Sequence, residues 1–239
     1  MRRPWQKRLP TILLFSIITM ITILYFCKAS MGDKMNSLTD VIYNEEENEQ
    51  KDKKDKVSDA LAEKFLKTRQ IILSGQINKE LAEKIVRQLL VLEADNHDPI
   101  YVYIDSPGGD VDAGFAIFDM IRFIDAPVYL IGMGLIASAA ALILLAAPKE
   151  RRLGLPDSRY LIHQPLSEMQ GAATDIEIHA LEMAKTKAKL NKLISDETGK
   201  PIEQVSKDTE RDCWLSAKEA EEYGLISAIV SKRSDLKNI

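Results

Sequence analysis

Cysteine is scarce in this 239-residue chain. Its two cysteines, Cys27 and Cys213, are too few for a disulfide framework or a cysteine-ligated zinc cluster. Histidine is nearly as sparse, so any imidazole chemistry must use His97, His163 or His179. An excess of positive charge is also missing. The 32 Lys and Arg stand against 36 Asp and Glu, for a net charge of −4. No basic balance exists to neutralise phosphates, so nucleic acid is not an expected partner. No Gly-Lys-Ser/Thr phosphate loop occurs, and nothing repeats at a fixed period. Apolar residues at 46% and charged residues at 28% are the composition of an ordinary globular domain. That excludes a wholly disordered chain, a collagen-like fibre and a multi-span membrane protein. The length suits one domain plus a tail.

The tail is N-terminal. Arg2, Arg3, Lys7 and Arg8 precede the uncharged run Thr11–Cys27, TILLFSIITMITILYFC. Seventeen residues sit at the lower limit for a membrane-spanning helix. Residues 1–30 read as an anchor helix, as a signal peptide cleaved near Ala29, or as an extension ahead of a true start at Met31 or Met35. Bulky Tyr25 and Phe26 before Cys27 speak against a lipoprotein signal. As an anchor, the basic flank would stay inside and place the main domain outside. Residues 31–56 contain NEEENEQKDKKDK, which has no apolar periodicity and reads as a solvated linker.

Residues 57–239 carry a globular pattern. The composition of 70–74, 100–104, 128–132, 158–162 and 225–230 predicts strands. Helical spacing predicts helices near 57–67, 81–93, 113–124, 136–147 and 174–198, the last stopped by Gly199. Ser216 and Glu219 form a capping-box signature, with Gly224 ending that helix. Strands alternating with helices imply βαβ units, an α/β fold and a largely parallel sheet.

Four positions bear chemistry. Asp105-Ser-Pro-Gly-Gly109 follows a strand, and its glycine pair lets backbone N–H groups approach a ligand. In Gly134-Leu-Ile-Ala-Ser138-Ala-Ala, a single hydroxyl stands where a strand hands over to an apolar helix. It is either an ordinary cap or a nucleophile beside an electropositive helix end. His163 leaves an apolar strand before Gln164-Pro165. Thr209-Glu-Arg-Asp212 places acids just before the capping box, where surface charges are common. His179 lies within the long helix and reads as a surface or packing residue, and His97 as a solvated one.

Taken together, these segments resemble the proteolytic subunits of the Clp proteases, barrel-forming serine peptidases served by AAA+ unfoldases. The resemblance rests on SPGG at 106–109, the serine segment at 134–147, LIHQP at 161–165, ATDIEIHA at 173–180, DTERD at 208–212 and LSAKEAEEYGLI at 215–226. It covers about 70% of the chain, in the family's order, with Ser138 to His163 separated by 25 residues and His163 to Asp212 by 49. It implies a ClpP/crotonase-like fold of repeated βαβ units with a long handle helix, preceded here by the hydrophobic segment. It implies Ser138 as nucleophile, His163 as general base and Asp212 as the acid that orients it. The oxyanion donors would be the backbone N–H groups of Gly109 and Ala139. The activity implied is endopeptidase cleavage of unfolded proteins to small peptides. No cofactor or metal is implied, since ATP is used by the partner unfoldase. The implied partners are copies of the same chain, in two stacked rings of seven, and the unfoldase.

The chain departs from the family pattern at Ala139-Ala140, where Met-Gly is usual, and at Ser167-Glu168, where Gly-Gly is usual. The family's axial N-terminal segment has no clear counterpart. These departures keep two alternatives open: an inactive structural ring subunit, and a membrane-anchored Clp-class peptidase acting without an unfoldase. A Ser-Lys peptidase would need a lysine where His163 stands, and a crotonase-type acyl-CoA enzyme has no use for the triad. The ATP requirement places the folded domain in the cytoplasm, against the charge rule. Residues 11–27 are then its means of membrane attachment.

Overall fold

The computed structural model describes residues 61 and 63–237. The expectations for residues 1–30 and 31–56 therefore lie outside the described residues. Among the described residues no helix is long and apolar enough to cross a membrane.

Residues 63–237 lie in one compact unit built on a seven-stranded sheet. In chain order the elements are β1 (Gln70–Ser74), α1 (Lys79–Asp95), β2 (Ile100–Ser106), α2 (Val111–Phe123), β3 (Val128–Ala137) and α3 (Ala139–Leu144). There follow β4 (Arg152–Gly154), β5 (Arg159–Ile162), α4 (Ala173–Thr198), α5 (Ile202–Asp208), β6 (Cys213–Ser216), α6 (Ala217–Tyr223) and β7 (Ala228–Ile229). The main sheet runs β1-β2-β3-β4-β7, all parallel, and β5 branches from β3 to pair antiparallel with β6.

Local chemistry explains the early βαβ units. Asn78 caps α1 by accepting from the Leu81 N–H at 2.8 Å, and Asp110 caps α2 by accepting from Ala113 at 2.8 Å. The buried face of α1 is Ala82, Ile85, Leu89 and Leu92, at helical spacing. The C-terminal end of α1 is closed by Arg69, whose guanidinium donates to the carbonyls of Leu92, Asn96 and Asp98.

The strongest departure from expectation is β3. The helix expected from Ile136 begins only at Ala139, and the strand expected to stop at Gly132 continues to Ala137. Long-range pairing overrides the alanine-rich local preference here. Leu130–Gly132 pairs with β4, whereas Leu135–Ala137 switches to β5. The switch bends at Gly134, which has φ +61°. A Cβ there would sit 2.7 Å from Asp105 Oδ1, and that oxygen accepts the Leu135 N–H at 3.0 Å. The short helix α3 that follows is buried along its whole length.

The helix α4 matches its expected span and ends at Gly199 in the left-handed region, φ +74°. Only Asn191 and Ile194 of its 26 residues are buried, and Ile176, Ile178 and Leu181 are exposed. The capping box at Ser216 and Glu219 is formed, and Gly224 closes α6 at φ +95°.

Candidate active site

The site is assembled where β3 passes into α3. Ser138 is the single residue between them, with φ +55° and ψ −119°. That conformation is rare for a residue with a Cβ and costs on the order of 1–3 kcal/mol. It is held by the neighbours: the Ser138 N–H donates to Leu161 O of β5 at 2.9 Å, and Ser138 O accepts from Leu142 at 3.2 Å. The Ser138 side chain makes no cap to α3. Its hydroxyl has no hydrogen-bond partner among the described residues. A strained serine that does not cap its helix is not explained by local structure.

The Ser106–Gly109 turn lies against this elbow. A Cβ on Gly108 would stand 2.6 Å from Ala137 O, 2.7 Å from Ser138 Cβ and 3.0 Å from Ala139 N. Gly108 has φ +89°, so the position needs glycine both for its backbone and for its neighbours. Gly109 forms an isolated parallel bridge with Ile77, and a Cβ on it would fall 2.2 Å from Ile77 O. The N–H groups of Gly109 and Ala139 have no hydrogen-bond partner among the described residues. Ala139 sits at the start of α3, where orphan N–H groups are expected.

His163 follows β5 directly. Antiparallel pairing of β5 with β6 sets Ile162 opposite Cys213, so one step further the register brings His163 to Asp212. His163 Nδ1 lies 3.0 Å from Asp212 Oδ1. The His163 side chain is 15% exposed and that of Asp212 is 60% exposed. The two backbones are tied beside this contact, as the Gln164 N–H donates to Thr209 O at 2.7 Å and Gln164 Nε2 to Glu210 O at 2.8 Å. Glu210, the other acid of the segment, turns away. It pairs with Lys187 of α4 at 2.6 Å, which lowers its carboxyl pKa through that hydrogen bond and charge.

Ser138 and His163 share one cleft, lined further by Val111, Leu142, Ile162 and Leu193. Its walls are predominantly apolar side chains. Of the other sequence candidates, His97 is exposed beside Glu93. His179 is not merely packed, because its Nε2 lies 2.8 Å from Ser167 Oγ and joins the loop after β5 to α4. Ala140 is fully buried in α3. No cluster of metal-ligating side chains occurs among the described residues.

Two supporting residues lie inside segments singled out by sequence, but their buried bonding role was not legible there. Thr209, fully buried, donates to Asn191 Oδ1 of α4 at 2.9 Å and anchors the Asp212 segment. Ser106, also fully buried, bridges Gly75 and Gly108. A small polar residue inside DTERD or at the end of a β-strand gives no local sign of burial.

The family model for Clp protease matches residues 52–233. The ATP-dependent Clp protease proteolytic subunit 2 of Treponema denticola is 67% identical over 192 residues, covering 80% of this chain and 96% of that protein. The proteolytic subunit 2 of Borreliella burgdorferi is 52% identical over 173 residues, covering 72% and 87%. Among solved structures, a point mutant of ClpP1 from Listeria monocytogenes superposes with a TM-score of 0.69 at 46% identity, covering 74% of this chain and 99% of that one. With that likeness running through the whole folded part, the chain belongs to the Clp protease family, as a proteolytic subunit.

Proposed function

We propose that the chain is a serine endopeptidase whose nucleophile is Ser138, with His163 as general base and Asp212 as its orienting acid. The observation that carries this reading is the His163–Asp212 contact at 3.0 Å beside a cleft shared with a strained, uncapped serine. A serine hydroxyl is a weak nucleophile until an imidazole takes its proton. Asp212 on Nδ1 selects the tautomer that leaves Nε2 to accept it. Ser138 Oγ then attacks the scissile carbonyl carbon while its proton passes to His163 Nε2. The oxyanion is held by the Gly109 and Ala139 N–H groups, which have no other partner among the described residues. Collapse breaks the C–N bond, and His163 returns the proton to the leaving amine. Water attacks the resulting Ser138 ester, passing a proton to His163. The C–O bond breaks, and that proton restores the serine hydroxyl. The apolar walls of the cleft favour an apolar side chain on the acyl side of the cut.

The Ser138–His163 hydrogen bond is the contact that the assembled enzyme must close, since Ser138 Oγ is unpartnered here among the described residues. Assembly is read as two stacked rings of seven copies. The exposed Ile176, Ile178 and Leu181 on α4 support a role for that helix between subunits. The relatives' names, proteolytic subunits of an ATP-dependent Clp protease, support an ATP-using partner, read here as an AAA+ unfoldase that delivers unfolded proteins to a cytoplasmic domain. ATP then acts on the unfoldase, with no cofactor on this chain. Residues 11–27 are the segment through which the protein would attach to a membrane.

The test is labelling of the full chain with a fluorophosphonate. Adduct on Ser138 that disappears in His163→Ala supports the triad. No adduct on Ser138 in the wild-type chain overturns it, and favours the inactive ring subunit.

A further inference from the structure

We propose that Ser106 is a positioning residue for the oxyanion hole, holding the Gly108–Gly109 turn through its buried hydroxyl; this rests on the reading of Gly109 and Ala139 as the oxyanion donors. Ser106 closes β2 and is 0% exposed. Its Oγ donates to Gly75 O at 2.6 Å and accepts the Gly108 N–H at 3.1 Å. The turn is gripped from the other side by Ile77, which donates its N–H to Gly108 O and accepts from Asp110 N–H, each at 2.9 Å. The Gly108 N–H, the Gly108 C=O and the Asp110 N–H are thus engaged, while the Gly109 N–H is left without a partner among the described residues.

Neither the sheet nor the next helix needs this hydroxyl. The β2–β3 register shifts between Ile104 and Ser106, and Ser106 pairs with Ile136 through the backbone, not through this hydroxyl. The cap of α2 comes from Asp110. What the hydroxyl does hold is Gly108, and Gly108 lies against the Ser138 elbow with no room for a Cβ. Two consecutive glycines at φ +89° and +149° have few intrinsic restraints of their own. Ser106 supplies one, and it acts on the amide directly before the proposed donor. A donor displaced by about 1 Å loses most of its effect on the developing negative charge.

The experiment uses the full chain and a short fluorogenic peptide with an apolar residue before the cut. Ser106→Ala is expected to lower kcat about 10–100-fold with KM changed less than about twofold, the pattern of an interaction made in the transition state. A peptide aldehyde, which forms a tetrahedral adduct on the nucleophile, should weaken in parallel with kcat/KM. Ser158→Ala is the control. Ser158 is also buried, donates to Leu155 O with Tyr160 Oη 3.0 Å away, stands at the opposite end of β5 from His163 and is absent from the lining of the cleft. It should lose stability while keeping kcat. If Ser106→Ala does not assemble, Ser106→Cys replaces the hydroxyl with a weaker donor of similar shape and should give an intermediate kcat. The inference is overturned if either folded Ser106 variant keeps full kcat, if the loss appears in KM, or if Ser158→Ala loses kcat equally. Ser138→Ala run alongside separates the two levels. Activity surviving in Ser138→Ala overturns Ser138 as the nucleophile and this inference with it, whereas an inert Ser138→Ala beside a fully active Ser106→Ala overturns this inference alone.

Discussion

Substituting Gly108 by alanine is the sharpest mechanical probe of the elbow. The added Cβ would stand 2.6 Å from Ala137 O, 2.7 Å from Ser138 Cβ and 3.0 Å from Ala139 N. Ordinary carbon contacts lie near 3.5–4.0 Å, so the turn and the elbow must separate by roughly 0.5–1 Å. The backbone adds its own cost, about 1–2 kcal/mol, because φ +89° suits glycine alone. The atoms that move are the proposed nucleophile and the residues bearing both proposed oxyanion donors. Removing one such donor costs about 10²–10³ in kcat. Gly108→Ala should therefore lower kcat by about 10²–10³, with a small change in KM. Gly199→Ala is the matched control. Gly199 also has positive φ, +74°, yet nothing lies within 4 Å of its Cβ position. It should lose about 1–2 kcal/mol of stability and keep its kcat. Steady-state peptide hydrolysis and thermal unfolding of both variants decide the matter. A folded Gly108→Ala with kcat within threefold of wild type would refute the reasoning. So would a Gly199→Ala that loses kcat to the same degree.

Three further outcomes are expected. Asp212→Asn should cost about 10⁴-fold in kcat through the wrong imidazole tautomer, while Glu210→Gln stays within about threefold, because Glu210 faces Lys187 and not His163; the reverse ranking in peptide hydrolysis would reassign the acid. Burial pushes the Tyr160 hydroxyl up to about 12. A raised pKa means that the neutral form is the one the fold favours. Stability is then unaffected below the ordinary value near 10, and falls by about 1.4 kcal/mol per pH unit as pH rises towards about 12. Tyr160→Phe should remove that part of the alkaline slope in denaturant titrations, and an unchanged slope would contradict it. Ser216→Ala removes one half of the capping box on α6 and should cost about 1 kcal/mol, read as a fall of about 2–4 °C in unfolding temperature; an unchanged temperature would show the box to be idle.

How legible the fold was depended on how local each signal is. The helices α1, α2 and α4 have 3.6-residue periodicity, α1 between Asn78 and Asn96, α2 after Asp110 and α4 ahead of Gly199, and the structure places them within a few residues of expectation. β2 was visible because β-branched and aromatic residues concentrate at 100–104. The second half of β3, together with β4 and β6, was not. Leu135-Ile-Ala and Cys213-Trp-Leu-Ser become strands only because β5 lies between them, and that pairing is long-range. The same limit governs the site. Ser138 could be singled out as a hydroxyl ahead of an apolar helix, and His163 as the exit of a strand. Their meeting with Asp212 required either the family resemblance or the β5–β6 register. Sequence pattern alone could not separate Asp212 from Glu210, two residues apart on one loop. The geometry does, since only Asp212 reaches His163. Nor could it show that Ser138 leaves α3 uncapped, which turns an ordinary-looking N-terminal serine into a candidate nucleophile.

The most direct measurement is peptide hydrolysis by the full-length Ser138→Ala chain, with assembly followed by sedimentation in the same preparation. If Ser138 is the nucleophile, turnover falls by about 10⁶-fold while the oligomer distribution matches the wild type. Substantial turnover by a correctly assembled Ser138→Ala protein would contradict the triad and move the chemistry to another residue.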